Sequence, residues 1–286
     1  MTFIHVLILG IVQGLAELLP VSSSAHVVVT EKLLGLDPSS PPMTLLLVML
    51  HTGTMFAVIV FFWQRWRTIF FANAEVFKRA VVDVVIATLL TGLVGGILVK
   101  AIEKFALPKG EGGAQIEDLF SHLELIAPAL FAAGILILIA GLAERRSRAG
   151  GTDQISPRQS AWIGAVQGLC LPFRGFSRSG ATISTSLLLG ISRASGEAFS
   201  FALAVVLTPP VVLREAWRLK KLASVGDVHL GSVWGSTLIG AVVAFIAGLA
   251  ALKWLSAWLE SGRWYLFGIY CLAASAAVFA LHLAGY

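Results

Sequence analysis

Residues 10–15 read GIVQGL and residues 164–169 read GAVQGL, so the chain repeats one phrase after 154 residues. Each copy is soon followed by a proline and a serine-rich turn, PVSSSAH at 20–26 and LPFRGFSRSGAT at 171–182. Polar and charged residues accompany both copies in a sequence that is otherwise mostly apolar. Two matching polar clusters in such a chain suggest the two halves of one site.

The composition is that of an integral membrane protein. The chain is 57% hydrophobic and only 13% charged, far from the average of soluble domains. A bilayer core of about 30 Å is crossed by roughly 20 apolar helical residues. Strands are not expected, because unpaired edges are costly in lipid and no alternating ten-residue pattern recurs. We therefore predict an all-α polytopic membrane protein with six transmembrane helices, at about 44–63, 81–100, 123–142, 197–213, 233–256 and 264–283.

Other protein classes fit the sequence less well. The first apolar stretch lacks a basic leader, and Gln13 and Glu17 lie where a cleaved signal would have its apolar core. Two cysteines, Cys170 and Cys271, offer no disulfide or zinc framework. The net charge of +5 comes mainly from loops between spans. Basic loops fit anionic lipid headgroups better than nucleic acid, which is not an expected partner.

Both repeated regions are apolar segments broken near their middle. Breaks at 20–24 and 171–180 divide them into halves of 11 to 16 residues. At about 1.5 Å of rise per residue, each half is about 16–24 Å long, too short to span a bilayer comfortably. We therefore expect two re-entrant helical hairpins, at about 3–36 and 160–191. Irregular backbone at membrane depth is tolerated where protein or a water-filled cavity surrounds it.

Three predicted spans follow each hairpin, and this odd number forces the second hairpin to enter from the opposite face. We predict a single membrane domain, 1–286, built as an inverted-topology repeat of 1–143 and 144–286. Basic loops at 64–80 and 143–158 fall on one side, which the positive-inside rule makes cytoplasmic. The first hairpin then opens to the periplasm.

The first motif combines a carboxylate with hydroxyls and an imidazole. Gln13 and Glu17 are four residues apart and share a helix face. A carboxylate at bilayer depth costs about 2.5–3.5 kcal/mol on insertion scales, so such a group usually faces a partner or cavity. A structural hydrogen bond between helices is the alternative. Because Ser22, Ser23 and His26 follow directly, we favour a functional role, with His26 as an acid–base group or nucleophile.

The second motif has the composition of an anion cradle. Glycine permits close backbone approach, hydroxyls donate hydrogen bonds, and the N–H groups at a helix start point toward the ligand. Arg178 adds a planar donor suited to phosphate oxygens, whereas the alternative is an arginine reaching for the interface. The other candidate ligands are Ser177, Ser179, Gly180 and Thr182.

Two further sets of polar residues are weaker candidates. His51 and Thr52 could line the same cavity, but a histidine satisfied within the core is equally compatible with the sequence. Arg193 and Glu197 stand four residues apart and are expected to form a structural ion pair at a helix start.

These motifs resemble the bacterial undecaprenyl pyrophosphate phosphatase family of the bacitracin-resistance type. That family pairs [E/Q]-x-x-x-E, running on into P-V-S-S-x-x-H, with P-G-x-S-R-S-G-x-T. The matching positions here are Gln13, Glu17, Pro20, Val21, Ser22, Ser23 and His26, and Gly175, Ser177, Arg178, Ser179, Gly180 and Thr182. Two departures stand out, since Arg174 replaces the usual Pro and Ala25 the usual Gly. The extra guanidinium of Arg174 could also bind phosphate.

The resemblance implies a periplasm-facing, metal-dependent enzyme of the bacterial inner membrane. It would hydrolyse a C55 polyprenyl pyrophosphate to the monophosphate and recycle this lipid carrier for peptidoglycan synthesis. Membrane lipids are expected partners, and a homodimer is left open. The alternative function is a polyprenyl-phosphate transporter or flippase, because inverted repeats with broken helices are a recurrent transporter plan. A type-2 phosphatidic acid phosphatase is disfavoured, because its Lys-x6-Arg-Pro and Ser-Gly-His runs do not occur.

The expected division of labour assigns phosphate binding to the second motif and catalysis mainly to the first. Arg178 would clamp the pyrophosphate together with the neighbouring hydroxyls. Glu17, helped by Gln13, would hold Mg²⁺ or Ca²⁺ or activate the nucleophile. Ser23 or His26 would attack phosphorus, or His26 would activate a water. The sequence does not choose among these.

Overall fold

The computed structural model describes residues 2–37, 40–105, 122–146, 151–223 and 234–286. These residues form ten α-helices and no β-strand, with one isolated bridge between Thr152 and Ile191. The helices are α1 (Phe3–Leu18), α2 (Ser23–Leu33), α3 (Pro41–Ile69), α4 (Ala74–Phe105), α5 (Leu123–Arg146), α6 (Pro157–Leu169), α7 (Arg178–Leu188), α8 (Arg193–Ala223), α9 (Trp234–Glu260) and α10 (Trp264–Leu283).

Six of these helices are long and apolar enough to cross a membrane: α3, α4, α5, α8, α9 and α10. Each overlaps one of the six predicted spans, so this prediction is confirmed. The chain is a multi-pass helical membrane protein. Its exposed large side chains, such as Leu89 and Ile246, are the apolar surface expected of helices that face lipid.

The other four helices form two short pairs, α1–α2 and α6–α7. At about 1.5 Å per residue, each of these helices is about 16–24 Å long, below the thickness of the bilayer core. The breaks, at residues 19–22 and 170–177, overlap the predicted breaks at 20–24 and 171–180, but α2 and α7 begin earlier than predicted, at Ser23 and Arg178. That the pairs enter the membrane and turn back, and that the two halves are inverted, stays a prediction.

Both breaks contain a residue with positive φ. Ser22 has φ 68° and ψ 91°, a conformation that L residues rarely adopt. Gly175 has φ +105°, and a Cβ there would lie 2.5 Å from the Ile126 carbonyl oxygen. Glycine is therefore required at 175 by both the backbone angle and the close approach of α5.

The repeated phrase forms helix-packing surfaces. Gly14 of α1 faces α9, where an added Cβ would lie 2.7 Å from the Ala244 carbonyl oxygen. Gly164 of α6 faces α4, where an added Cβ would lie 2.2 Å from the Ala87 carbonyl oxygen. Small residues at such positions let helix backbones approach closely. The glycines of the two repeated segments thus let the two short helix pairs pack closely against two different long helices.

The ion pair predicted between Arg193 and Glu197 is wrong. Arg193 donates from Nε to the Glu144 carboxylate at the end of α5. Glu197 instead accepts from Arg65 Nη1 at 2.8 Å and from Ser256 Oγ at 2.7 Å. The partners of Arg193 and Glu197 come from helices in distant parts of the chain, so the four-residue spacing did not determine which charges pair.

Candidate active site

The tips of the two short helix pairs meet inside the helix bundle. Residues more than 150 positions apart in the sequence become neighbours there. Three hydrogen bonds join the tips: Arg178 Nη2 to Glu17 Oε1 (3.1 Å), Ser179 Oγ to the Leu19 carbonyl (3.2 Å), and the Gly175 N–H to Ser24 Oγ (3.4 Å). The two polar motifs therefore form one site, as the repeat in the sequence suggested.

Glu17 is the hub of this site. Its Oε2 accepts from Ser23 Oγ at 2.5 Å and from Gln13 Nε2 at 3.3 Å. Its Oε1 accepts from Arg178, and His51 Nε2 lies 3.8 Å from Oε2. The Glu17 side chain is 18% exposed, so these donors replace most of the water that a carboxylate requires. Ser23 is thus held with its proton directed at a carboxylate.

The first turn places Ser23 at the N-terminus of α2. Ser22 is the N-cap, and its Oγ accepts from the Ala25 N–H at 3.4 Å and lies 3.3 Å from Ser24 Oγ. Backbone strain of the kind seen at Ser22 clusters at functional sites and persists only where the surroundings hold it. The strained residue immediately precedes the serine that contacts Glu17.

The second turn presents the N-terminus of α7 to the same space. Ser177 is the N-cap, with its Oγ accepting from the Gly180 N–H at 3.2 Å. The remaining unpaired N–H groups of a helix start and its dipole favour an anion there. An added Cβ at Gly180 would lie 2.7 Å from Ile137 Cδ1, so Gly180 lets α7 approach α5.

A cavity of about 100 Å³ lies between the two turns, enough for several water molecules. Its lining is predominantly polar. It is formed by Ala16, Glu17, Ser22, Ser23, Ser24, Cys170, Phe176, Ser177, Arg178 and Ser179. Hydroxyls, one guanidinium and one carboxylate therefore converge on a space that is open on one side.

Arg178 has unused hydrogen-bonding capacity at this cavity. Its Nη2 donates to Glu17, whereas its Nη1 is buried and donates to no residue that the structure describes. A buried guanidinium nitrogen without an acceptor is costly. A phosphate oxygen in the cavity is the natural acceptor, since guanidinium binds phosphate through paired donors.

His26 lies beside the cavity rather than in its lining. Its Nδ1 is 2.8 Å from the Ser22 carbonyl oxygen, and its Nε2 is 2.7 Å from the Tyr270 hydroxyl of α10. Neither ring nitrogen contacts Ser23. Tyr270 was not among the candidate residues, because a tyrosine in an apolar span carries no local signal of a polar partner.

Four other residues predicted for substrate binding surround the cavity without lining it. Thr182 is buried, with Oγ1 2.5 Å from Ser200 Oγ, and Gln13 is buried behind Glu17. Gly180 is packed against α5. Arg174 interacts electrostatically with Glu31, a buried carboxylate of α2 that no motif indicated.

The donor set fits a metal ion only when a phosphate shares it. Among the described residues, no three His, Cys, Asp or Glu side chains cluster as a metal site. Glu17 is the one carboxylate that lines the cavity. Mg²⁺ is commonly bound by one or two carboxylates together with substrate phosphates and water. Glu17 fits this mode, whereas a cage made by protein alone does not fit.

Fold and site together define a class: a multi-pass helical membrane protein with a half-buried serine–carboxylate–arginine site suited to phosphate. Comparison with known sequences identifies its family. The family model described as "Bacitracin resistance protein BacA" matches residues 6–277, so the chain belongs to this family. The resemblance drawn from the two motifs is thereby confirmed.

Curated relatives share nearly the whole chain. An "Undecaprenyl-diphosphatase 2" of Acinetobacter baylyi is 55% identical over 285 residues, covering 98% of both chains. An "Undecaprenyl-diphosphatase" of Desulfosudis oleivorans is 35% identical, covering 92% of this chain and 93% of the relative. One from Rhodopirellula baltica is 31% identical, covering 98% of both chains.

Proposed function

We propose that this protein hydrolyses undecaprenyl pyrophosphate to undecaprenyl phosphate and inorganic phosphate. It thereby recycles the lipid carrier of peptidoglycan synthesis and confers bacitracin resistance. The full-length relatives named undecaprenyl-diphosphatase support this activity. The observation that carries it is the 2.5 Å contact between Ser23 Oγ and Glu17 Oε2, with Arg178 bonded to the same carboxylate. A nucleophile, its base and a phosphate clamp are thus within contact of one another.

In the proposed architecture, the two short pairs are re-entrant hairpins of inverted repeats, 1–143 and 144–286. Three long helices follow each pair, which supports opposite entry. The packing supports a repeat of two related halves, because α1 packs on α9 whereas α6 packs on α4. Each pair therefore lies against the middle long helix of the other half, as a two-fold relation between the halves requires, and the odd number of spans is the argument for an axis in the membrane plane.

The proposed orientation faces the cavity toward the periplasm of a bacterial inner membrane. As the first and third of three successive spans, α3 and α5 would cross the membrane in the same direction, and both end in basic residues, Arg67 for α3 and Arg145 and Arg146 for α5. The positive-inside rule makes these ends cytoplasmic. The α1–α2 pair then enters from the periplasmic side and brings Glu17 and Ser23 to the cavity.

The first chemical step is transfer of the terminal phosphoryl group to Ser23. Arg178, the start of α7 and the hydroxyls of Ser177 and Ser179 hold the pyrophosphate oxygens and neutralise charge on the transferring group. Ser23 Oγ forms a bond to the terminal phosphorus while its proton passes to Glu17. The bond from that phosphorus to the bridging oxygen breaks, and undecaprenyl phosphate leaves.

Substrate binding and base activation are coupled through Arg178. Without substrate, the guanidinium neutralises Glu17. When the pyrophosphate draws the guanidinium toward its oxygens, Glu17 loses positive charge beside it and accepts the Ser23 proton more readily. Only a ligand that competes with Glu17 for Arg178 therefore makes Glu17 a stronger base toward Ser23.

The second step releases inorganic phosphate. Water attacks the phosphorylated Ser23, the bond between phosphorus and Oγ breaks, and Oγ takes back the proton held by Glu17. Both protons of the attacking water leave with the phosphate, as H₂PO₄⁻, and Glu17 is again a carboxylate. A Mg²⁺ or Ca²⁺ ion, when bound, would supply further charge neutralisation at phosphoryl oxygens; Glu17 would hold it, helped by Gln13, which donates to Glu17 Oε2 at 3.3 Å.

One assay separates this function from the polyprenyl-phosphate transporter. The purified full-length protein in detergent is given a polyprenyl pyrophosphate, and phosphate release is measured with and without EDTA. Wild type should release phosphate, whereas Glu17→Gln, which keeps the shape but not the base, should not. A transporter needs the binding groups but would release no phosphate. The ion's role fails if EDTA has no effect. Light scattering of the same sample tests whether the protein is a homodimer, which the sequence left open.

A further inference from the structure

Helix α10 touches the first turn through two adjacent residues. Cys271 donates from Sγ to the Pro20 carbonyl at 3.4 Å, and the Tyr270 hydroxyl lies 2.7 Å from His26 Nε2. The rings of Tyr270 and His26 are nearly parallel, with a 12° interplanar angle and centroids 5.7 Å apart. Because α10 is a long helix packed along α5, it offers a fixed frame for this turn.

The hydrogen-bond partners fix the proton on His26. Nδ1 faces the Ser22 carbonyl oxygen at 2.8 Å, and a carbonyl can only accept. Nδ1 must therefore carry the hydrogen. In the neutral ring Nε2 is then an acceptor, so the Tyr270 hydroxyl donates to it. A chain of two hydrogen bonds runs from α10 through the imidazole to the backbone of the turn.

This chain ends on the strained residue of the site. Ser22 has φ 68°, and such backbone persists only when neighbouring structure holds it. The carbonyl that His26 holds belongs to the peptide that links Ser22 to Ser23. Its orientation therefore sets where the Ser23 hydroxyl points relative to Glu17.

His26 has no contact expected of a nucleophile or base. Both ring nitrogens are engaged, its side chain does not line the cavity, and the Ser23 proton is already directed at Glu17. We propose that Tyr270 and His26 are positioning residues, which together hold the Ser22 carbonyl and so keep Ser23 aligned with Glu17. The inference rests on the proposed function, because it concerns the serine that attacks phosphorus.

The positioning role of His26 can be tested by replacing it with a side-chain amide, which can donate a hydrogen bond from about the position of Nδ1. His26→Asn retains a donor near that position but cannot act as a nucleophile or base, whereas His26→Ala loses both. Asparagine should keep phosphate release within about 10-fold of wild type, and alanine should lose about 100-fold or more. Equal losses in the two variants would show that His26 acts chemically and would overturn the inference.

Tyr270→Phe removes only the hydroxyl and keeps the ring stacked. The expected result is a fall of about 2- to 10-fold in kcat with KM unchanged, because the substrate-binding groups stay in place. Tyr265→Phe is the matched control, since Tyr265 lies on the same helix with its ring over Arg145 rather than at the turn. A wild-type kcat in Tyr270→Phe, or an equal fall in the control, contradicts the proposal.

Imidazole nitrogen NMR gives a readout that does not depend on turnover. In protein labelled with ¹⁵N-histidine, the His26 signals, assigned by their loss in His26→Asn, should show a protonated Nδ1 and an accepting Nε2. Tyr270→Phe should shift the Nε2 signal. A hydrogen on Nε2 in neutral wild type would refute the hydrogen-bond chain. If wild type released no phosphate, the proposed function would be wrong. The NMR measurement would still show whether Tyr270 and His26 form the proposed hydrogen bonds to the turn.

Discussion

Replacement of Arg178 by lysine tests the central assignment most directly. The guanidinium donates to Glu17 through Nη2 at 3.1 Å, and its buried Nη1 has no acceptor among the described residues, so in the proposed complex a phosphate oxygen is the second acceptor. An ammonium group is a single point donor and cannot reproduce this fork. Lysine in this position can therefore face Glu17 or the phosphate, but not both.

The expected loss follows from the contacts. One charge-assisted hydrogen bond contributes about 1.5–3 kcal/mol, so Arg178→Lys should lower kcat/KM by about 10- to 150-fold. Arg178→Ala also leaves Glu17 without its cation, and losing a transition-state donor alone costs about 10²–10³-fold. The alanine variant should thus have a lower kcat/KM than the lysine variant, by about 10-fold at the middle of the two ranges.

The assay is phosphate release from a polyprenyl pyrophosphate by protein in detergent, with thermal unfolding recorded on the same samples. Arg65→Lys is the control, because Arg65 also pairs with a buried carboxylate, Glu197, at 2.8 Å but outside the cavity. It should lower stability without lowering kcat/KM of the folded protein. A folded Arg178→Lys variant with at least half the wild-type kcat/KM would refute the clamp.

Three further predictions concern other parts of the site. Ser23→Ala should lower phosphate release to background while inorganic phosphate still binds, and near-normal release would assign the attack to water. Gly175→Ala should destabilise the fold by about 1–3 kcal/mol in thermal unfolding, because of its φ of +105° and the α5 carbonyl 2.5 Å from an added Cβ. Gly92→Ala, with nothing within 4 Å of its added Cβ, should not be destabilising, so equal effects would contradict the argument. A double-mutant cycle of Glu31→Gln and Arg174→Gln should show a coupling of about 0.5–3 kcal/mol in the free energy of unfolding. A coupling of zero would show that the two charges do not interact.

Local patterns in the sequence predicted most of the fold. Apolar length located the six long helices, and proline, glycine and serine located both breaks, since these signals depend on neighbouring residues alone. That the two motifs form one site could be expected because the phrase repeats, but the direct pairing of Glu17 with Arg178 was not predicted. Which way the hairpins enter the membrane is a prediction that spacing supports.

Local sequence patterns could not predict contacts between helices that are distant in the sequence. Tyr270 is one aromatic residue in an apolar span, and nothing nearby in the sequence indicates that it meets His26. The helical spacing of Arg193 and Glu197 misled, because other helices supply each with a different partner. Ser23, His26 and water were all candidate nucleophiles from the sequence, and the 2.5 Å contact of Ser23 with Glu17 supports the proposal that Ser23 attacks phosphorus.

The packing of α1 on α9 also constrains the biogenesis of the protein. More than 200 residues separate the end of α1 from the start of α9, so the ribosome makes the partner long after the helix. At about 5–20 residues per second, this interval is about 10–40 s. During it, Gly10 and Gly14 have no helix to seat against, and Arg178 reaches Glu17 only after α7 is made. During membrane insertion, α1 therefore carries the Glu17 carboxylate for this interval without its final packing partners, and the insertion machinery must accommodate it.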